Sequence, residues 1–171
     1  DITHKKIKTK KDKYILELTK LNENLDLHDL EMIQVEDNFK EMGTICDNIR
    51  EFQEDAHKEI ITHEEAKSHA DIHIKKGLYL FKNHENEIVM QAITSRKLSN
   101  GYVIGAVITP KAHRGKGYAK TGMYILSKKL LNDGAKVLAL YTNAKNPVSN
   151  HVYEKIGYER ISEELLIEFE D

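Results

Sequence analysis

Apolar residues at Phe39, Met42, Ile45, Cys46, Ile49, Phe52 and Ala56 recur at steps of three and four, which predicts an amphipathic helix from about 37 to 56. Asp37 or Asn38 stands where its N-cap is expected. Just upstream, Glu31-Met32-Ile33-Gln34-Val35 alternates and predicts a short strand. A second helix opens on the capping box Thr62-His63-Glu64-Glu65, turns Ala66, Ala70, His73 and Ile74 inward, and stops at Gly77. Three strands follow: Leu78–Phe81, Glu87–Thr94 and Tyr102–Thr109, joined by turns at Asn83–Asn86 and at Asn100-Gly101. Pro110 ends the last of them. Ala119, Met123, Leu126 and Leu130 mark a third helix that stops at Asn132-Asp133-Gly134. Lys136–Tyr141 then reads as a buried strand, expected to run parallel to the strand before the helix. Asn146-Pro147 caps and opens a fourth helix, which runs to Ile156 and stops at Gly157. Tyr158–Phe169 is a final strand, in one piece or two.

The first thirty residues carry the weakest pattern. Tyr14-Ile15-Leu16-Glu17-Leu18 is compatible with a strand, and Asn22–Asp26 with a loop. Before them lies a run of lysines (Lys5, Lys6, Lys8, Lys10, Lys11, Lys13), with no aromatic interleaved, that reads as a solvated tail or edge strand.

At 171 residues with 40% hydrophobic content, the chain can bury the core of one ordinary domain. A net charge of -2 does not suit a general nucleic-acid binder. The single cysteine, Cys46, rules out an intramolecular disulfide and sits on the apolar stripe of the first helix. No apolar run reaches the length of a membrane span, and no signal-peptide pattern is present, so a cytoplasmic location is expected, without membrane or nucleic-acid partners.

Two segments carry candidate chemistry. Arg114-Gly115-Lys116-Gly117-Tyr118-Ala119 places two glycines and two cations at a strand-to-helix turn. A helix N-terminus leaves N–H groups without intrahelical partners and carries partial positive charge, so such a turn suits a phosphate or diphosphate. It has neither the Walker spacing nor the dinucleotide Gly-x-Gly-x-x-Gly. Some thirty residues on, Asn146, Ser149 or Asn150, and Tyr153 fall along one helix face.

Taken together, these segments resemble the GNAT family of N-acetyltransferases. Arg114, Gly117 and Ala119 occupy the fixed places of the family's Arg/Gln-x-x-Gly-x-Gly/Ala signature. Asn146-x-x-Ser149-x-x-Val152-Tyr153-Glu154-Lys155-x-Gly157-Tyr158 resembles the later Asn-x-x-Ala/Ser-x-x-Leu-Tyr-Glu-Lys-x-Gly-Phe signature. The likeness covers about residues 31 to 169 and includes the order of elements.

The resemblance implies an α/β fold: a mixed, largely antiparallel sheet with helices on both faces and a splayed pair of central strands at the coenzyme site. It implies acetyl-CoA as co-substrate and no metal. Backbone groups of Val107, Ile108 and Thr109 would meet the pantetheine arm. The amides of Gly115, Lys116, Gly117, Tyr118 and Ala119 would hold the diphosphate with Arg114 beside it. Asn146, with Ser149 and Asn150 nearby, would face the coenzyme arm, and Tyr153 would stand near the sulfur. In some relatives this domain is the second half of a longer chain, so residues 1–30 are expected to be an extension or the remnant of a preceding domain, and 31–171 the acetyltransferase domain.

The acceptor, a small-molecule or peptide amine, is expected near the loop between the first two helices. Glu51, Glu54, Asp55 and Glu59 make that region acidic and mildly favour a cation. Neither Glu87 nor Tyr102 is marked by spacing as a general base, and nothing chooses between a monomer and a homodimer. Two rival readings stand beside this one. One is an acyl-CoA sensing module without catalysis; the other is a metal hydrolase using His69 and His73, which have i, i+4 spacing but lack the His-Glu-x-x-His pattern.

Overall fold

A computed structural model describes residues 7–37 and 39–169. The elements are β1 (Ile7–Leu18), β2 (Glu31–Gln34), α1 (Met42–Phe52) with a π-helical turn (Gln53–His57), α2 (His63–Lys76), β3 (Leu78–Lys82), β4 (Ile88–Lys97), β5 (Gly101–Ile108), α3 (Tyr118–Asn132), β6 (Val137–Asn143), α4 (Pro147–Ile156) and β7 (Glu159–Phe169). Seven strands form one sheet in the order β2-β3-β4-β5-β6-β1-β7. Every pairing is antiparallel except β5 with β6. The α/β fold with a mixed, largely antiparallel sheet is therefore the one expected.

Two cores follow from the two faces of the sheet. Ile45, Cys46 and Ile49 of α1 and Ala66 and Ala70 of α2 pack with Leu78, Leu80 and Ile108. Met123, Leu126 and Leu130 of α3 and Ile156 of α4 pack with Phe81, Met90 and Leu138 on the other side. Alternate β3 residues thus serve opposite cores, which is why this strand is buried along its whole length. Each fully buried Leu or Phe contributes about 1.5–3 kcal/mol. At Gly101 a Cβ would fall 1.7 Å from the Val137 carbonyl oxygen, so this glycine is required by the close approach of β6.

Two boundaries differ from the sequence expectation. Residues 7–18, expected to lie outside the domain, form β1 within its sheet: Lys13–Leu18 pair with β6, and β7 pairs along the other edge. Residues 7–12 pair only with β7, so the lysine-bearing part runs out as a two-stranded ribbon. The helix expected from 37 starts at Met42 with Glu41 as N-cap; the Glu41 carboxylate makes an ion pair with the buried Lys82 instead of capping the helix. Asp37 lies in a preceding turn, and Asn38 falls outside the described residues. The final strand is continuous, with a register shift at Ile161.

Candidate active site

β5 and β6 pair only over Gly101–Ile104 and Val137–Leu140. β5 then continues to Ile108 and β6 to Asn143 without a ladder between them, so the central strands splay. On the β4 side, Ile93 faces Gly105 whereas Gln91 faces Ile108. One extra residue therefore bulges from β5, and Ala106 takes a φ of 43° to accommodate it. The end of β5 presents backbone groups to the gap.

The glycine turn closes the gap from below. Gly115 and Gly117 hold φ values of 73° and 84°, in the left-handed region that side chains disfavour, and Gly117 is the N-cap of α3 with no side chain capping the helix. The first-turn amides of α3 are thus open to an anion. Opposite, Asn146 caps α4: its Oδ1 accepts from the Ser149 N–H at 3.2 Å, which leaves its Nδ2 hydrogens for a ligand.

A cavity of about 650 Å³ lies between these parts, in the size range of small-molecule sites. Val107, Ile108, Thr109, Arg114, Gly115 and Gly117 line one side of it, with Tyr118 and Ala119 following. Asn146, Ser149 and Tyr153 line it from the α4 end. The Tyr153 hydroxyl has no hydrogen-bond partner among the described residues, and burial pushes its pKa up to about 12. Behind it Tyr158 packs edge-on at 6.0 Å, its own hydroxyl paired with Ser127 at 3.0 Å. Tyr153 is therefore protonated across the neutral range with its O–H unclaimed by the described residues.

Two expected residues lie elsewhere. Asn150 is buried behind the cavity, accepting from Thr142 Oγ1 at 2.8 Å and donating to the Asn143 carbonyl at 3.2 Å. It ties α4 to β6 and does not line the cavity. Lys116 does not line it either; its carbonyl accepts from His28 Nε2 at 2.6 Å on the far side of the turn.

Arg114 is the larger surprise. Its Nε donates to the Thr109 carbonyl at 2.9 Å, Nη1 to Asp55 at 2.8 Å and Nη2 to Glu51 at 3.3 Å. Lys111 joins Asp55 at 3.1 Å. The hydrogen bond from Arg114, and then that from Lys111, hold the Asp55 carboxyl below its ordinary pKa. The guanidinium is engaged by carboxylates, so the turn offers an anion chiefly its backbone amides. Two of the four acidic residues expected to attract a cation, Glu51 and Asp55, are already neutralised, while Glu54 and Glu59 stay exposed.

Phe52 and Ala56 of the α1 end, His113, Lys120, Val148 and Val152 also face the cavity. Lys120, one position beyond the signature, has no ion-pair partner among the described residues, and its helical spacing from Gly117 was the available signal. His69 Nδ1 lies 3.4 Å from Gln53 Nε2, and His73 is held neutral by burial, its pKa lowered to about 4. Among the described residues no group of three or more potential metal ligands converges, and no helix is long and apolar enough to cross a membrane.

The family model of FR47-like proteins matches residues 80–167, the segment that holds both the turn and α4. No curated protein matches the chain. Among solved structures, a GNAT-family acetyltransferase from Colwellia psychrerythraea superposes with a TM-score of 0.68 at 16% identity, over 96% of this chain and 58% of that one. A GCN5-related N-acetyltransferase from Sphaerobacter thermophilus gives 0.71 at 14% identity, over 95% and 53%. A GNAT-family acetyltransferase from Bacillus anthracis gives 0.63 at 18%, over 77% and 81%. The chain spans little more than half the length of the first two. At these identities the likeness is one of fold.

Proposed function

Since the chain belongs to the FR47-like family and has the GNAT acetyltransferase fold, we propose that it transfers an acetyl group from acetyl-CoA to a primary amine by direct attack in a ternary complex. One observation carries this reading: the open amides of the glycine turn, the end of β5 left without a ladder on its β6 side and the Tyr153 hydroxyl face a single cavity. The diphosphate sits on the turn amides, where the helix N-terminus favours negative charge. The pantetheine arm, which carries two amides, lies along β5 as an added strand would.

In the reaction the amine nitrogen forms a bond to the acetyl carbon, the carbon–sulfur bond breaks, and the sulfur takes up charge. Tyr153 donates its hydroxyl hydrogen to that sulfur. A thiol ordinarily has a pKa of about 8.5. The burial that raises the phenol also raises the leaving thiol, so the proton is shared between them as charge develops. The proton lost by the nitrogen passes through water and restores the Tyr153 hydroxyl, leaving amide and free thiol as products. Such acid assistance is worth about a hundred- to ten-thousandfold, and holding amine and thioester together contributes up to about 7–11 kcal/mol more.

A module that only senses acyl-CoA has no use for an unpaired phenol beside the sulfur, and Tyr153 favours catalysis over that alternative. The test is a panel of amines (polyamines, aminoglycosides, amino acids, peptide amines) incubated with acetyl-CoA, reading free thiol. Amine-dependent thiol release supports the transferase. Saturable coenzyme binding with no thiol release from any amine leaves the sensing module.

A further inference from the structure

Between β1 and β2 the chain crosses the α3–α4 face as a twelve-residue strap without regular structure, residues 19–30. It is anchored at both ends. Asn22 donates its N–H to the Ile156 carbonyl at 2.8 Å and its Nδ2 to the Lys155 carbonyl at 3.1 Å, while Leu21, Leu25, Leu27 and Leu30 pack on the core. At the other end the His28 N–H donates to Thr121 Oγ1 at 3.1 Å, and the His28 ring lies 4.9 Å from that of Tyr118. His28 Nε2 meets the Lys116 carbonyl oxygen at 2.6 Å. A carbonyl oxygen only accepts, so Nε2 carries the hydrogen.

This contact governs an atom of the cavity. In a trans peptide the C=O and the following N–H point in opposite directions within one rigid plane. Holding the Lys116 carbonyl on the strap side therefore sends the Gly117 N–H the other way, and Gly117 lines the cavity. Glycines at 115 and 117 leave the turn intrinsically loose, and no side chain caps α3. Arg114 ties the start of the turn to Thr109, Asp55 and Glu51, and at the Lys116–Gly117 peptide the side chain in place is His28.

We propose that His28 is a positioning residue for the donor: it aims the Gly117 amide at the coenzyme's diphosphate, so that the segment before β2 completes the site. The proposal rests on the acetyl-CoA reading of the cavity. It is tested by calorimetric titration of the wild type, His28→Ala, His28→Gln and Asn22→Ala with coenzyme A. His28→Ala weakens binding about tenfold, the effect of roughly one hydrogen bond or about 1.4 kcal/mol. His28→Gln, whose amide nitrogen reaches the same carbonyl, stays within about threefold of the wild type. Asn22→Ala loosens the strap at its far end and leaves the affinity unchanged. Equal affinity in His28→Ala and the wild type overturns the proposal, as does equal weakening by all three substitutions, which marks a merely structural strap. A wild type that does not bind coenzyme A removes the underlying reading of the cavity instead, and the proposal with it.

Discussion

The two walls of the cavity are made of different material. The wall formed by β5, the glycine turn and α4 presents backbone amides, a capping asparagine and a half-buried phenol. The wall at the end of α1 presents Asp55, already paired across the gap with Arg114, while outside the lining Lys111 joins Asp55 and Glu51 joins Arg114. Backbone geometry is set by φ values and register, so the first wall is preorganised for one ligand. Exposed ion pairs exchange partners at little cost, so the second can adapt. On the proposed reading, a donor common to many reactions would take the first wall and a variable acceptor the second.

The largest test of this contrast is at Tyr153. Tyr153→Phe should lower turnover with acetyl-CoA about a hundredfold or more while barely changing coenzyme affinity, as steady-state rates and a calorimetric titration would read. Undiminished turnover would take the phenol out of the mechanism. Gly117→Val comes next. At a φ of 84°, with a Cβ only 3.3 Å from His28 Nε2, valine has to distort the turn. Coenzyme affinity should fall about thirtyfold, from strain of about 2 kcal/mol. Removing the opposing charges should do far less: Asp55→Asn with Glu51→Gln should shift coenzyme affinity by less than about threefold, since exposed pairs contribute little. A large loss would show that the two walls act as one.

A separate effect, outside the cavity, belongs to stability and pH. Burial depresses His73 from 6.5 to about 4 in the fold, so as pH falls the unfolded chain takes up that proton first. Stability from this group is full above its ordinary value and declines as pH drops toward 4. Urea melts should show a loss of about 2 kcal/mol across that window, discounted for the ring's partial contact with water, and His73→Leu should flatten it.

What was legible in the sequence follows the same division. The turn and α4 carry their signals locally, in Gly115, Gly117, Asn146, Pro147 and Gly157, because positive φ and capping are properties of a few adjacent residues. β1 carries less: Tyr14–Leu18 is compatible with a strand, and the lysine run reads only as a tail or edge strand. Its lysine-rich half becomes strand only by pairing with β7, more than 150 residues away, and no window of sequence reports such pairing. His28 was invisible for the same reason, being 88 residues from the carbonyl it holds. Asn150 shared a helix face with Asn146 in the sequence, but Thr142 and Asn143 claim it. Arg114 was correctly placed at the turn, and only the fold shows that Asp55 and Glu51 engage it first.

The most direct test of the turn as the diphosphate site is an NMR titration of uniformly 15N-labelled protein with coenzyme A. Saturable shifts concentrated on the amides of Gly115, Gly117 and Ala119, with the Asn146 side-chain amide moving in step, are the predicted result. Saturable binding that leaves those amides unmoved, or no saturable shift at all, would contradict it.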